Sequence, residues 1–377
     1  MLLVLAVILV FGANQSIGVT VPTFLTRDLG GTSAEVGLVG ALGTAGALIG
    51  RFFAPMLATR FQMGLVLVAA GLLGVGLCAL YLLTGSVQTV ALVRLLHLCV
   101  FAVATTTAVI AAVNLLPGGR RATALASVGM AMPLSALVFP WLAADLLRAE
   151  LKAVALVGVA LLSVAVVLFV ASFGRPGPVR EPLLAVESPS VRAVPASHVV
   201  LLGAAAIGAS DAVAVDLLPV LSFERGIDNY GWFYTAFALA MIATLTILGR
   251  VAWHDRAKSV ARLGLAITAT AVALLAVAST LPVLMVSALL HGCGFAAAQT
   301  ALSLWFASNV GLAQRSGRLG RVYLAFDVGR GVGVLAAGWA ATLLGFATVL
   351  SLLAGYCSAC ALAMVRPPVA RLPAPLR

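Results

Sequence analysis

Four ionisable side chains stand inside otherwise apolar runs of this 377-residue chain: Arg94, Asp211, Asp327 and Arg330. A charge at the middle of a bilayer costs about 2.5–3.5 kcal/mol on insertion scales, so each of the four needs a partner or a water-filled cavity. Asp327 and Arg330 are three residues apart, on one helix face and within pairing range. They read either as a structural ion pair steadying glycine-rich packing or as substrate or gate charges. Asp211 follows Ser210 and has no basic residue within one turn. A carboxyl so placed could take up and release a proton on access to water, or could partner Arg94 or Arg330 across a cavity. Asp216, nearer the end of the same segment, reads as hydrated.

Neutral polar groups add to this set. His97 and His291 could carry protons or bind a solute, or could sit at helix contacts bonded to a backbone carbonyl. Asn14, Gln15 and Gln299 could line a cavity. The chain holds no G-x-S-x-G, no H-E-x-x-H, no Walker loop and no G-x-G-x-x-G after a strand. No enzyme chemistry and no bound cofactor is expected, and without a nucleotide site any uphill movement would draw on an ion gradient, for which Asp and His favour protons. Cys78, Cys99, Cys293, Cys357 and Cys360 lie in apolar runs and read as packing residues, with no disulfide or zinc site implied.

The elements that must position these groups follow from composition. Hydrophobic residues make up 62% of the chain and charged residues 9%, so too few charges are present to clothe a soluble domain of this size and most of the surface must meet lipid. Twelve apolar segments are predicted, at 2–25, 34–58, 64–83, 89–115, 122–147, 153–173, 198–221, 231–250, 263–281, 283–310, 322–343 and 346–365. Each must be a helix, because a lone span in lipid has to satisfy its own backbone. The first segment reads as a retained helix and not as a signal peptide.

With twelve spans the loops alternate sides. One side, with its bordering helix ends, holds Arg51, Arg60, Arg120, Arg121, Arg175, Arg180, Arg192, Arg250, Arg256, Lys258, Arg262, Arg315, Arg318, Arg321, Arg366, Arg371 and Arg377; the other holds only Arg27, Arg148, Lys152 and Arg225. Basic residues stay cytoplasmic, so both termini are expected in the cytoplasm of a plasma-membrane protein, and the net charge of +11 needs no nucleic-acid partner. At about 1.5 Å per residue, Asp327 then lies roughly 8 Å and Arg330 roughly 13 Å in from the cytoplasmic end of their helix. The Pro-rich stretch at 174–197 reads as a cytoplasmic linker between a six-helix bundle at 1–173 and another at 198–365, with 366–377 as a tail.

The two halves repeat each other. Leu95-Leu96-His97-Leu98-Cys99-Val100-Phe101 matches Leu289-Leu290-His291-Gly292-Cys293-Gly294-Phe295 at an offset of 194. Gly119-Arg120 and Trp141 match Gly317-Arg318 and Trp339 at 198, Gly50-Arg51 matches Gly249-Arg250 at 199, and Pro22 matches Pro219 at 197. Four landmarks in order at nearly one offset indicate duplication.

This plan resembles the major facilitator superfamily over essentially the whole chain. The run from Gly50 to Phe61, with Arg51 and Arg60, resembles the end of that family's second helix and its G-x-L-A-D-R-x-G-R loop, with Pro55 for the first glycine, Thr59 for the aspartate, Gln62 for the second glycine and Met63 for the last arginine. Arg94, His97 and Leu98 resemble an R-x-x-Q-G signature, and Phe326-Asp327-Val328-Gly329 with Gly333 resembles F-D-x-G-x-x-x-G. Pro140 alone remains of the G-P-x-x-G pattern of drug and proton antiporters.

The resemblance implies an all-α fold of two pseudo-symmetric six-helix bundles whose first, fourth, seventh and tenth helices line a cavity. Those helices carry Asn14, Gln15, Arg94, His97, Asp211, His291 and Gln299. Arg94 is then expected to attract an anionic group or to tune a nearby carboxyl, Asp211 to carry a proton, and Asp327 and Arg330, with Arg51 and Arg60, to govern cytoplasmic closure. The expected activity is proton-coupled efflux of a small organic solute by a single copy in the bilayer, with symport or a non-transporting sensor as alternatives.

Overall fold

A computed structural model describes residues 1–115, 127–146, 150–173, 197–251, 253–308 and 312–365. All its regular structure is helical: α1 (Leu2–Arg27), α2 (Ser33–Arg60), α3 (Met63–Leu80), α4 (Val87–Leu115), α5 (Ala131–Ala136), α6 (Leu151–Phe173), α7 (Ser197–Asp216), α8 (Gly231–Arg250), α9 (Ala257–Val277), α10 (Leu281–Ser308), α11 (Leu312–Leu344) and α12 (Phe346–Ala363). Short helices at Phe139–Trp141 and Leu218–Glu224 follow α5 and α7. Eleven segments among the described residues are long and apolar enough to cross a membrane. The twelfth span is α11, which packs in the same bundle and carries Asp327 and Arg330 in its apolar part. The linker and tail, and the loop residues Arg120, Arg121, Arg148, Arg175, Arg180, Arg192, Arg366, Arg371 and Arg377, lie outside the described residues.

Local signals account for where elements begin and break. At the start of α2 the Thr32 hydroxyl accepts from the Glu35 amide at 3.3 Å while the Glu35 carboxylate accepts from the Thr32 amide at 2.8 Å, so two backbone donors left free at a helix start are satisfied. The fifth span is not the single helix expected at 122–147: after α5 it turns at Leu137 and Val138, resumes for one turn at Phe139–Trp141 and widens into a π turn at Leu142–Leu146. Pro140 has no N–H and crowds the carbonyl four residues back, which loosens the ladder there. The seventh span, expected as continuous over 198–221, divides at Leu217 ahead of Pro219 for the same reason.

Packing repeats between the halves. The pairs α1–α6, α2–α4, α3–α4 and α3–α6 recur as α7–α12, α8–α10, α9–α10 and α9–α12. Between the halves, α2 lies along α11 and the broken fifth span lies along α8. One face of the molecule carries Arg60, Arg250, Lys258, Arg262, Arg318 and Arg321 at helix ends and is called the basic face below; the opposite face carries Arg27, Lys152 and Arg225.

Candidate functional site

The site begins where α7 and α11 touch. A Cβ on Gly208 would lie 2.0 Å from the Phe326 carbonyl oxygen, and one on Gly329 would lie 2.2 Å from the Ala205 carbonyl oxygen. Only glycine lets the two backbones come this close, and the closeness brings the long Arg330 side chain of α11 onto the acids of α7. Arg330 forms an ion pair with Asp211 and donates to Asp216 at 2.9 Å. Asp211 is almost completely buried, whereas the Arg330 and Asp216 side chains keep 22% and 20% of their surface open.

Asp327 does not pair with Arg330, although their spacing permits it. Its carboxylate, 6% exposed, instead binds the Arg51 guanidinium of α2. The reason is that α11 runs between α2 and α7, and a three-residue step turns two side chains toward different neighbours. Arg51–Asp327 is therefore a bond between the halves, on the basic side of the molecule. Arg60, the fourth gate candidate, is exposed in the last turn of α2. Asp216, expected to be hydrated, keeps a fifth of its side chain open and is also the second carboxylate on Arg330, a role that no spacing in the sequence signalled.

In the first half, Arg94 of α4 is buried, donates to the Asn14 side chain of α1 at 3.3 Å, and runs past Gly18 and Gly43. It lies within electrostatic reach of Asp216 and Arg330 of the second half, so its charge is felt across the junction between the halves. Gln15 donates to the Met132 carbonyl at 3.2 Å and Ser16 to the Phe139 carbonyl at 3.3 Å, so the broken fifth span is held through its own carbonyls. Gln299 of α10 is half-buried, and its side-chain oxygen has no hydrogen-bond partner among the described residues.

The two repeat-related histidines turn into their own halves. His97 meets Tyr81 edge-on at 5.9 Å and lines a cavity of about 10 Å³ with Val10, Gly74, Phe101 and Leu162. That volume is about one water molecule. His291 is fully buried against Phe237 at 5.6 Å. Neither His97 Nδ1 nor either ring nitrogen of His291 has a hydrogen-bond partner among the described residues, so the expected bond to a backbone carbonyl is not seen at these atoms.

Further contacts between the halves lie at the opposite face. The Thr23 and Tyr230 hydroxyls are 3.1 Å apart, Trp141 and Trp232 pack with ring centroids at 5.3 Å, and Thr235 donates to the Leu137 carbonyl at 2.8 Å. A Cβ on Gly37 of α2 would meet the Val334 carbonyl oxygen at 2.6 Å and the Gly338 Cα at 3.1 Å. Another anchor there carries no signal in the sequence. Arg225 donates to the carbonyls of Leu275, Ala276 and Ala278 at 2.7–2.8 Å and closes the end of α9. Burial holds its pKa below the ordinary arginine value, with the Glu224 carboxylate working in the other direction.

A family model described as Major Facilitator Superfamily matches residues 3–230 and again 199–376. No curated protein matches the chain. Among solved structures, the nucleoside transporter NupG is similar at 15% identity over 97% of each chain, with a TM-score of 0.77. The peptide transporter POT, solved with sulfate, is similar at 13% identity over 97% of this chain and 93% of its own, with a TM-score of 0.78. A bacterial homologue of the human lysosomal transporter Spinster, in an inward-facing and unoccupied conformation, is similar at 16% identity over 96% of this chain and 94% of its own, with a TM-score of 0.69. At these identities the likeness to solved structures establishes the fold.

Proposed function

Because the chain belongs to the Major Facilitator Superfamily, and is accordingly a membrane transporter of the secondary class and not an enzyme, we propose that it moves a small organic solute outward in exchange for protons by alternating access. The observation that carries this reading is Arg330 held between Asp211 and Asp216. One base facing two carboxylates leaves a surplus negative charge, and a proton is the simplest ion to cancel it. Protonating Asp211 removes its hold on Arg330 while Asp216 keeps its own, so the α7–α11 junction gains two states that differ by one proton. Side chains that couple a junction between helices to an ion are what a rocking pair of bundles requires.

The basic face is the cytoplasmic one on this reading, by the excess of Lys and Arg there, and both termini lie on that side of a plasma membrane. The halves are joined at the basic face by the Arg51–Asp327 pair and at the opposite face by several contacts, and on this reading the opposite face is the more firmly closed of the two. The division into bundles at 1–173 and 198–365 supplies the two moving bodies, and a single copy suffices. Export over import rests on the compact, short-looped build this chain shares with efflux permeases of its family, which is analogy.

Reconstituted vesicles test this. An imposed proton gradient should drive solute accumulation in the wild type, and Asp211→Asn should abolish that accumulation while leaving solute exchange intact. Unchanged accumulation would remove Asp211 from coupling. Solute moving in the same direction as protons would make the protein a symporter, and a gradient that moves no solute would make it a sensor.

A further inference from the structure

We propose that the solute bound between the halves carries a negative group that seats on Arg94, and that one positive charge, a proton or an ammonium group of the same solute, balances it on the Asp211–Asp216 pair. This deepens the transport reading above and rests on it for the word solute. Deep in the described spans stand three arginines, Arg51, Arg94 and Arg330, and three carboxylates, Asp211, Asp216 and Asp327. They balance in number but not in place. Arg51 and Asp327 cancel each other. Arg330 takes two carboxylates, which leaves the second half one charge negative. Among the described residues Arg94 forms no salt bridge, and the side chains it bonds, Asn14 and Tyr81, are neutral, which leaves the first half one charge positive.

A buried cation is retained only where water or a counter-ion reaches it. Arg94 is within electrostatic reach of Asp216 and Arg330, so both local imbalances border the junction between the halves. The repeat sharpens the contrast. Asn14 and Asp211 are 197 residues apart, the spacing that also separates Pro22 from Pro219, and each accepts from an arginine. Where the second half has an acid that spends its arginine's charge, the first has an amide that orients the guanidinium and leaves its charge available. A neutral solute would leave both imbalances standing, and a lone anion would correct one. An anion with a proton, or a zwitterion, corrects both.

The test uses the purified full chain and its melting temperature, with and without a panel of benzoate, inorganic phosphate, leucine, benzyl alcohol and benzylamine. Asn14→Asp supplies the missing counter-charge and should raise the melting temperature by a few degrees without any ligand. Benzoate, phosphate or leucine should stabilise the wild type, with apparent affinity falling at least tenfold in both Arg94→Gln and Asn14→Asp. Proton uptake from weak buffer on binding assigns the balancing charge to a proton carried with the solute and turns the exchange proposed above into symport; binding of leucine without uptake assigns it to the ammonium and keeps the exchange. The proposal is overturned if Asn14→Asp gives no stabilisation, if benzyl alcohol or benzylamine stabilises as well as the charged acids, if no acid stabilises, or if the effect survives in Arg94→Gln. These readouts need no gradient, so loss of coupled transport in vesicles would defeat the transport reading and leave this result in place.

Discussion

Asp211 of α7 and Arg330 of α11 form an ion pair in which the acid is 2% exposed and the base 22%. The two partners are therefore unequal in what their loss would do. Arg330→Gln strips the base from two carboxylates at once and leaves negative charge in low dielectric, which is expected to cost on the order of 3–5 kcal/mol of stability. Asp211→Asn leaves Arg330 with Asp216 and should cost about 1 kcal/mol, the scale of one ordinary hydrogen bond. Melting of the two purified variants checks the order. Equal losses would mean that Asp216 does not hold Arg330.

The Arg51–Asp327 pair is unequal in the same way but joins the halves. Arg51, with 42% of its side chain exposed, can turn to water when Asp327 is removed, so Asp327→Asn is expected to cost under about 1 kcal/mol. Arg51→Ala leaves a buried carboxylate without its base and should cost about 3 kcal/mol, less whatever protonation of Asp327 recovers. Because the pair joins the halves, Arg51→Ala should also speed labelling of a cysteine placed at Thr44, which is buried in the α2–α11 seam against Gly331. A variant as stable and as slowly labelled as the parent would show that the pair does not hold the halves.

The helices were legible in the sequence because lipid leaves a span no alternative to helix, and the repeat was legible because landmarks such as His97 and His291 kept their order. What escaped was decided by neighbours. Pro22 and Pro55 lie inside continuous helices, whereas Pro140 and Pro219 accompany breaks. The difference is tertiary: the Leu137 carbonyl near one break receives Thr235 and the Val215 carbonyl near the other receives the Tyr234 hydroxyl at 2.8 Å, so carbonyls released by each break are satisfied by α8. No local pattern around a proline carries that information. The partner of Asp327 escaped for a like reason, since i, i+3 spacing states which residues share a face and not which helix covers it.

Arg225 gives a prediction about stability without function. Its guanidinium donates three bonds of 2.7–2.8 Å to carbonyls of the buried residues Leu275, Ala276 and Ala278. Arg225→Gln keeps polarity but cannot reach all three, and the loss is expected to be about 2–3 kcal/mol. Transport per folded molecule should be unchanged, because the residue lies at the opposite face away from the Arg330 cluster. A large fall in turnover with unaltered melting would contradict this placement.

Gly37 and Gly208 are both points where a methyl group would strike backbone, but they separate conformational balance from folding. A Cβ on Gly37 would press on Val334 and Gly338 across the junction of the halves, 2.6 Å from a carbonyl oxygen. A Cβ on Gly208 would press on Phe326 within the second half, 2.0 Å from a carbonyl oxygen. Overpacking of this kind costs about 1–3 kcal/mol. In Gly208→Ala that strain has no outlet but a looser α7–α11 junction, so melting should fall. Gly37→Ala can relieve it by parting the halves at the opposite face, and a shift of 1.4 kcal/mol in that equilibrium is about tenfold in population. Labelling of Thr23→Cys, at the sealed end of α1, by a membrane-impermeant maleimide should therefore accelerate about tenfold when Gly37→Ala is added and stay as it was when Gly208→Ala is added. Acceleration by both, or by neither, would mean that the α2–α11 seam does not set which face is closed.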